Sequence, residues 1–348
     1  MITLTINGQE ATVQEGATIL EAAKSIGIEI PTLCHDPRIV PHGACRMCVV
    51  EIQGSNKLTT SCSTPAANGM VVMTETEKVV AARRTVLDLL LSNHPLDCLT
   101  CEQAGKCSLQ DLCYRYDIKE SSFDGVRKEY EIDDSNPFYN YDPNKCIQCG
   151  RCVNVCAELQ GMSAIGFVDR GFDTHVAVPF EQGLDRSVCV SCGNCVSVCP
   201  VGALTPKKSE KFRYWETEST RTTCSYCGVG CQLDLLTKDN RVLEVQPADG
   251  PPNHGLLCVK GKFAYHFINH DHRLKAPLLK KDGKFEEITW DEAYSIMVEK
   301  INQTKEEYGP DAIAGFSSAR CTSEENYLMQ KLMRAVIGTN NIDHCARL

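Results

Sequence analysis

Ile2, Leu4 and Ile6 alternate with threonines, a period of two that predicts a half-buried strand. Asn7-Gly8 supplies a tight hairpin turn, and Ala11 to Val13 return as the partner strand. The period then changes: Thr18 is an N-cap for a helix running to Ser25, with Gly27 placed to end it. Strand-like runs at Cys48 to Ile52 and Leu58 to Ser61 extend this into a small sheet with one helix. A capping-box pattern, Thr74-x-x-Glu77, predicts a second helix through Val79, Val80, Val86, Leu87 and Leu90 to Ser92.

Residues Tyr114 to Asn140 are polar and aromatic, with turn signals at Ser121-Ser122, Asp124-Gly125 and Asn136-Pro137, and read as a connector. Ala164 to Val168 and His175 to Phe180, separated by Arg170-Gly171-Phe172-Asp173, predict a β-hairpin, and Lys207 to Arg213 is a charged linker. A new domain starts near Trp215, with strands Gln232 to Thr237 and Arg241 to Gln246 joined at Asp239-Asn240. Thr289-x-x-Glu292 caps a helix to about Glu307, stopped by Gly309-Pro310. Ala312 to Phe316 is a short apolar strand, and Thr322-x-x-Glu325 caps a helix to Val336 that Gly338 ends. A strand apolar on both faces belongs in a parallel sheet covered by helices, so this last α/β segment is expected to leave surfaces unburied.

Composition narrows the chemistry. The 348 residues hold 22 cysteines, while Met1 to Glu10 show neither the basic nor the apolar region of an export signal. The thiols are therefore expected to be metal ligands in a reducing cytoplasm. No run approaches the roughly 18 apolar residues that span a bilayer, so direct membrane insertion is not expected. With 36 Lys+Arg against 45 Asp+Glu, a net charge of −9 and no basic stripe, no nucleic-acid partner is expected.

The cysteine spacing carries the main signal. Cys146-x2-Cys149-x2-Cys152-x3-Cys156 recurs, after a 32-residue spacer, as Cys189-x2-Cys192-x2-Cys195-x3-Cys199-Pro200, the run of a two-cluster bacterial ferredoxin. Three thiolates two residues apart wrap one cubane when the backbone curls round it, and the fourth comes from the other half. Cys146, Cys149 and Cys152 are thus paired with Cys199, and Cys189, Cys192 and Cys195 with Cys156. Ala157 stands where the second run has its proline, which removes no ligand. Zinc knuckles are the bland alternative, and they give no reason for a matched fourth cysteine in each half.

Two further sets precede this run. Cys34-x10-Cys45-x2-Cys48-x13-Cys62, on loops over a β-grasp sheet, suits a [2Fe-2S] cluster but does not have the plant-type spacing. It resembles the N-terminal domain of the large peripheral subunit of respiratory complex I and its relatives among hydrogenases and formate dehydrogenases. His94-x3-Cys98-x2-Cys101-x5-Cys107 puts a histidine ahead of three cysteines that are one ligand short of a cubane. The same families carry a [4Fe-4S] site of this kind, with the neighbouring Pro95-Leu96-Asp97 and Leu109-Gln110-Asp111. Cys113 fits no set of four and reads as a small apolar side chain.

Cys224-x2-Cys227-x3-Cys231, completed by Cys258, gives a fifth set. With the tail Val259-Lys260-Gly261 it resembles the N-terminal domain of the molybdopterin-dependent oxidoreductases. That resemblance implies that Lys260 lies between the cluster and a pterin of a molybdenum or tungsten bis-pterin guanine dinucleotide. The expected fold is α+β and multidomain. A [2Fe-2S] β-grasp domain covers 1–76, a [4Fe-4S] domain with one histidine and three cysteine ligands 77–120, and a two-cluster ferredoxin domain 138–208. A molybdopterin-oxidoreductase [4Fe-4S] domain covers 217–272, and the start of a pterin-binding α/β domain 273–348.

Nineteen of the 22 cysteines, with His94, are thereby assigned to one [2Fe-2S] and four [4Fe-4S] clusters, leaving Cys113, Cys321 and Cys345. One-electron centres strung along separate modules make a wire. The whole resembles the catalytic subunit of a cytosolic formate dehydrogenase, which interconverts formate and carbon dioxide. That resemblance implies flavin- and NAD(P)-binding iron–sulfur subunits, ferredoxin or a hydrogenase subunit as partners. The alternatives are a large peripheral subunit of an NADH:quinone oxidoreductase or hydrogenase complex, and a pure electron carrier. The run from Gly338 to Leu348 resembles the segment that precedes the metal-ligating selenocysteine or cysteine of formate dehydrogenases, so that ligand is expected just after Leu348 and no catalytic residue within the chain.

Overall fold

The computed structural model describes residues 1–208 and 210–345, and the last three positions of the run ending at Leu348 lie outside it. The chain divides into two compact units, 1–217 and 218–348.

The first unit opens with the expected hairpin, β1 (Ile2–Ile6) against β2 (Gln9–Val13), with Asn7 and Gly8 both at positive φ. The helix α1 (Ile19–Ser25) carries a complete capping box between Thr18 and Glu21. With β3 (Val49–Ile52), β4 (Thr59–Thr60) and β5 (Val71–Met73) the sheet runs β2-β1-β5-β3-β4, β5 lying parallel to β1 and antiparallel to β3. Its centre is the three-residue β5, too short to alternate visibly in sequence. Leu4, Ile6, Ile19, Val50 and Val72 fill the core beneath it, each at most 1% exposed, and each stabilises by roughly 1.5–3 kcal/mol.

The next helix, α2 (Glu77–Leu91), is capped by Thr76 and not by Thr74, the hydroxyl of Thr76 accepting from Val79 N–H. Thr74 is buried at the end of the sheet instead: its N–H donates to Asn7 Oδ1 at 2.9 Å and its hydroxyl accepts from Asn7 Nδ2 at 2.7 Å. Arg83, wholly buried, fastens α2 to its neighbours. Its guanidinium donates to Val49 O at 2.9 Å, Tyr116 Oη at 2.8 Å and Glu75 Oε1 at 2.7 Å. Tyr116 follows α3 (Ser108–Arg115), which was not expected from the sequence.

A two-stranded antiparallel sheet, β6 (Tyr139–Tyr141) with β9 (Leu204–Pro206), brackets the ferredoxin-type segment. Between them lie α4 (Arg151–Asn154), prolonged by a π turn at Val155–Leu159, then the hairpin β7 (Gly166–Val168) and β8 (His175–Ala177), and α5 (Asn194–Val198).

In the second unit β10 (Glu218–Thr223), β11 (Gln232–Lys238) and β12 (Arg241–Pro247) form an antiparallel sheet, turned at Asp239 and Asn240 as expected. The sequence did not reveal β10: it is polar, exposed throughout, and held by backbone pairing with β11. After α6 (Val259–Phe263) comes a hairpin of β13 (Leu278–Lys281) and β14 (Lys284–Glu287). Both expected capping boxes are present, on α7 (Trp290–Tyr308) and α8 (Ser323–Lys331). The strand expected at Ala312 to Phe316 is a 3₁₀ turn over Pro310–Ala312 followed by β15 (Gly315–Ser317). Pro310, two residues before the expected start, fixes a helical φ at the first position of that turn, which runs on into Ala312. β15 pairs in parallel with β16 (Ile342–His344). Tyr294, Met297, Val298 and Leu328 are exposed, so α7 and α8 leave apolar side chains uncovered within this unit. Among the described residues no helix is long and apolar enough to cross a membrane.

Candidate metal centres

The β-grasp loops bring Cys34, Cys45, Cys48 and Cys62 together. Cys48 Sγ lies 3.3 Å from Cys62 Sγ, and the Cys45 N–H points at Cys34 Sγ from 3.5 Å. Arg46, at φ 60, turns the backbone between the middle two cysteines. Hydrogen bonding from the Cys45 and then the Cys62 thiol pulls Cys34 down to about 2, and the Cys62 thiol pulls Cys48 down to about 6. Cys45 and Cys62 are pushed up in return. Four half-buried to buried sulfurs brought this close are a soft donor set that a metal cluster satisfies.

The segment after α2 delivers the second set. Burial pushes the His94 pKa down, so its ring is neutral, and its Nδ1 is buried without a hydrogen-bond partner. A neutral imidazole with an orphaned nitrogen is ready to ligate. His94, Cys98 and Cys107 line one cavity of about 230 Å³. Burial raises Cys107 to about 11, where Cys98 and Cys101 act on it as like charges. Cys101 packs against Gly202, where a Cβ would come within 2.7 Å of its sulfur. Cys113 also lines the His94 cavity and is raised to about 11 by burial. Its spacing gave no sign of this, because α3 is what carries it back.

The ferredoxin-type halves repeat one another in detail. Gln148 and Ser191 both stand at φ 53, and Gly150 and Gly193 at φ 75 and 74, so each run curls the same way. The curl aims backbone donors at sulfur: Gln148 N–H at Cys146 Sγ (3.4 Å) and Ser191 N–H at Cys189 Sγ (3.3 Å). Ala164 N–H points at Cys156 Sγ from 3.3 Å. Burial is the largest influence on these thiols, pushing Cys146 to about 11, Cys149 to about 12, and Cys152, Cys195 and Cys199 up. Cys199 acts as a like charge on Cys146, Cys149 and Cys152, Cys156 acts on Cys192 and Cys195, and Cys195 acts on Cys152 as well.

In the second unit Cys224 follows β10, Cys231 precedes β11 and Cys258 immediately precedes α6. Cys224 N–H donates to Cys231 O at 2.8 Å, and Cys227 and Cys258 are the like charges acting on Cys224. Gly261 of α6 lies beside Cys224, where a Cβ would make ordinary contact with Cys224 Sγ at 3.5 Å. Lys260 is exposed on α6, whereas Lys262 is buried.

Five segments match known families. Residues 1–77 match a 2Fe-2S iron-sulfur cluster binding domain, 83–122 the NADH-ubiquinone oxidoreductase-G iron-sulfur binding region, and 136–205 the ferredoxin-like domain of NADH-quinone oxidoreductase subunit 3. Residues 217–270 match the molybdopterin oxidoreductase Fe4S4 domain and 273–348 molybdopterin oxidoreductase. The chain is 40% identical to the NADPH-Fe(3+) oxidoreductase subunit alpha of Geobacter sulfurreducens over all of its own length and 40% of that protein's. It is 36% identical to a Staphylococcus aureus protein with a provisional formate dehydrogenase name, over 99% of the chain and 39% of that protein. The chain thus spans about two fifths of the length of these curated relatives. Among solved structures, a chain of an NAD+-reducing [NiFe]-hydrogenase in the H2-reduced state aligns with TM-score 0.57 and 35% identity, over 61% of this chain and 89% of that one.

Proposed function

The chain belongs to the molybdopterin oxidoreductase family and carries its iron–sulfur domains, and from that premise we propose that it is the electron-relay region of a formate dehydrogenase catalytic subunit. The observation that supports this is the closeness of cysteines at the β-grasp loops, beside His94, in the ferredoxin-type segment and around Cys224, which the spacing divides into five sets, one binuclear and four of cubane type. The donor chemistry fits iron–sulfur clusters: buried thiols, backbone N–H groups aimed at sulfur, and a neutral histidine with a free nitrogen. Cys34, Cys45, Cys48 and Cys62 would hold a [2Fe-2S] cluster. The sets at His94, at Cys146 and Cys199, at Cys189 and Cys156, and at Cys224 and Cys258 would each hold a [4Fe-4S] cluster.

Oxidation of formate to carbon dioxide releases two electrons and a proton, and such clusters move electrons one at a time. The relay would pass them from a molybdenum or tungsten bis-pterin site, near which Lys260 would lie, to a flavin- and NAD(P)-binding subunit, a ferredoxin or a hydrogenase subunit in a reducing cytoplasm. The formate reading is supported by the molybdopterin Fe4S4 domain and by the Staphylococcus relative.

A second reading, in which electrons enter from NADPH or NADH, is favoured by the Geobacter relative. The native complex containing this chain, purified anaerobically, separates the two. Formate, without pyridine nucleotide, is expected to reduce a viologen dye and bleach the clusters. Bleaching by NADPH but not by formate would replace the formate reading with the second.

A further inference from the structure

The loop that carries Cys34 and Cys45 is fastened onto the segment that carries Cys149, Cys152 and Cys156. Asp36, buried, accepts from Arg38 Nη2 at 2.8 Å and from Arg151 Nη2 at 3.3 Å. Ile39 packs with Val155 and Val198, and Val40 N–H donates to Glu158 Oε2 at 2.8 Å. These contacts hold the docking without help from His42, which lies in the same loop three residues before Cys45.

His42 spends both ring nitrogens on the other segment. Nε2–H donates to the Cys149 carbonyl at 2.7 Å, and the Asn154 side-chain amide donates to Nδ1 at 3.1 Å, which fixes the proton on Nε2. Gly150, at φ 75, makes room: a Cβ there would lie 3.1 Å from His42 Nε2. Gly43, at φ 61, does the same on the near side, where a Cβ would lie 3.3 Å from Ser63 Oγ, next to Cys62. Only Gly43 and Ala44 separate His42 from Cys45. One short covalent run and one hydrogen bond therefore join a cysteine of the binuclear set to a cysteine of the first ferredoxin-type set.

We propose that His42 is the coupling residue between these two centres, positioning the Cys149 loop and giving electrons a bonded route to it. Electronic coupling decays more slowly along covalent and hydrogen-bonded contacts than across a van der Waals gap. With the clusters bound, one electron would pass from a reduced [2Fe-2S] centre held by Cys34, Cys45, Cys48 and Cys62, which would be oxidised, to a [4Fe-4S] centre held by Cys146, Cys149, Cys152 and Cys199, which would be reduced. No bond forms or breaks, and Nε2 keeps its proton. The same hydrogen bond draws electron density from the Cys149 peptide, which raises the potential of the cubane it serves. The inference rests on the cluster assignment above.

The test uses the reconstituted full chain. Wild-type iron content and electron paramagnetic resonance signals from a reduced binuclear and a reduced cubane centre are read first; their absence overturns the assignment, independently of His42. His42→Phe, which keeps a ring but no donor, is expected to retain both signals, to lower the potential of the Cys146–Cys199 cubane, and to slow electron equilibration after flash reduction several-fold. His42→Gln, which can still donate, is expected to restore most of the rate. Equal rates and potentials in wild type and His42→Phe would overturn the proposal. Should His42→Phe lose iron, Asn154→Leu, which frees the ring, is expected to shift rate and potential in the same direction, and no change in either would overturn it.

Discussion

The phenol oxygen of Tyr139 lies 3.3 Å from Cys189 Sγ. Burial pushes the Tyr139 pKa up, so the phenol stays a neutral donor at any working pH. Hydrogen bonds to cluster sulfurs stabilise the extra electron of the reduced state. Tyr139→Phe is therefore expected to leave the cubane at Cys189, Cys192, Cys195 and Cys156 assembled but lower its reduction potential. A redox titration followed by electron paramagnetic resonance reads this, and an unchanged midpoint would mean that the hydroxyl does not act on the cluster.

The crossed grouping makes a sharper prediction. Cys199→Ala is expected to damage the same cubane signal as Cys146→Ala, and Cys156→Ala the other signal. Cys199→Ala behaving like Cys189→Ala would show that each run of four encloses its own cluster.

At His94, exchange of a neutral imidazole for a thiolate adds a negative charge to the centre. His94→Cys is expected to keep a cubane and to make it harder to reduce. The measurement is the midpoint of that signal; an unaltered spectrum and potential would remove His94 from the ligand set.

Arg83 matters for stability. Replacing it by methionine leaves Val49 O and Tyr116 Oη without their buried donor, at a cost of roughly 2–3 kcal/mol. Anaerobic thermal unfolding of the cluster-loaded chain is expected to show the loss, and a variant as stable as wild type would contradict this role for the guanidinium.

The iron–sulfur domains were legible in sequence because their cysteines recur at fixed short spacings and cysteine has few other reasons to recur so often. The capping boxes at Thr289 and Thr322 were legible for a similar reason, since the helix start needs that residue pair in that register. Thr74 shows the limit: the same pattern stood there, but Asn7, distant in sequence, takes its hydrogen bonds and moves the cap to Thr76. Strands β5 and β10 left no trace for opposite reasons, the one being too short to alternate and the other polar throughout. Arg83, the return of Cys113 to the His94 cavity and the reach of His42 to Cys149 are tertiary contacts, and no local pattern encodes them.

The account stands on five clusters in one chain, so iron quantitation on anaerobically reconstituted protein tests it most directly. One binuclear and four cubane centres predict about 18 iron atoms per chain, with matching sulfide. A plateau near about eight iron atoms, with zinc making up the remaining sites, would contradict it.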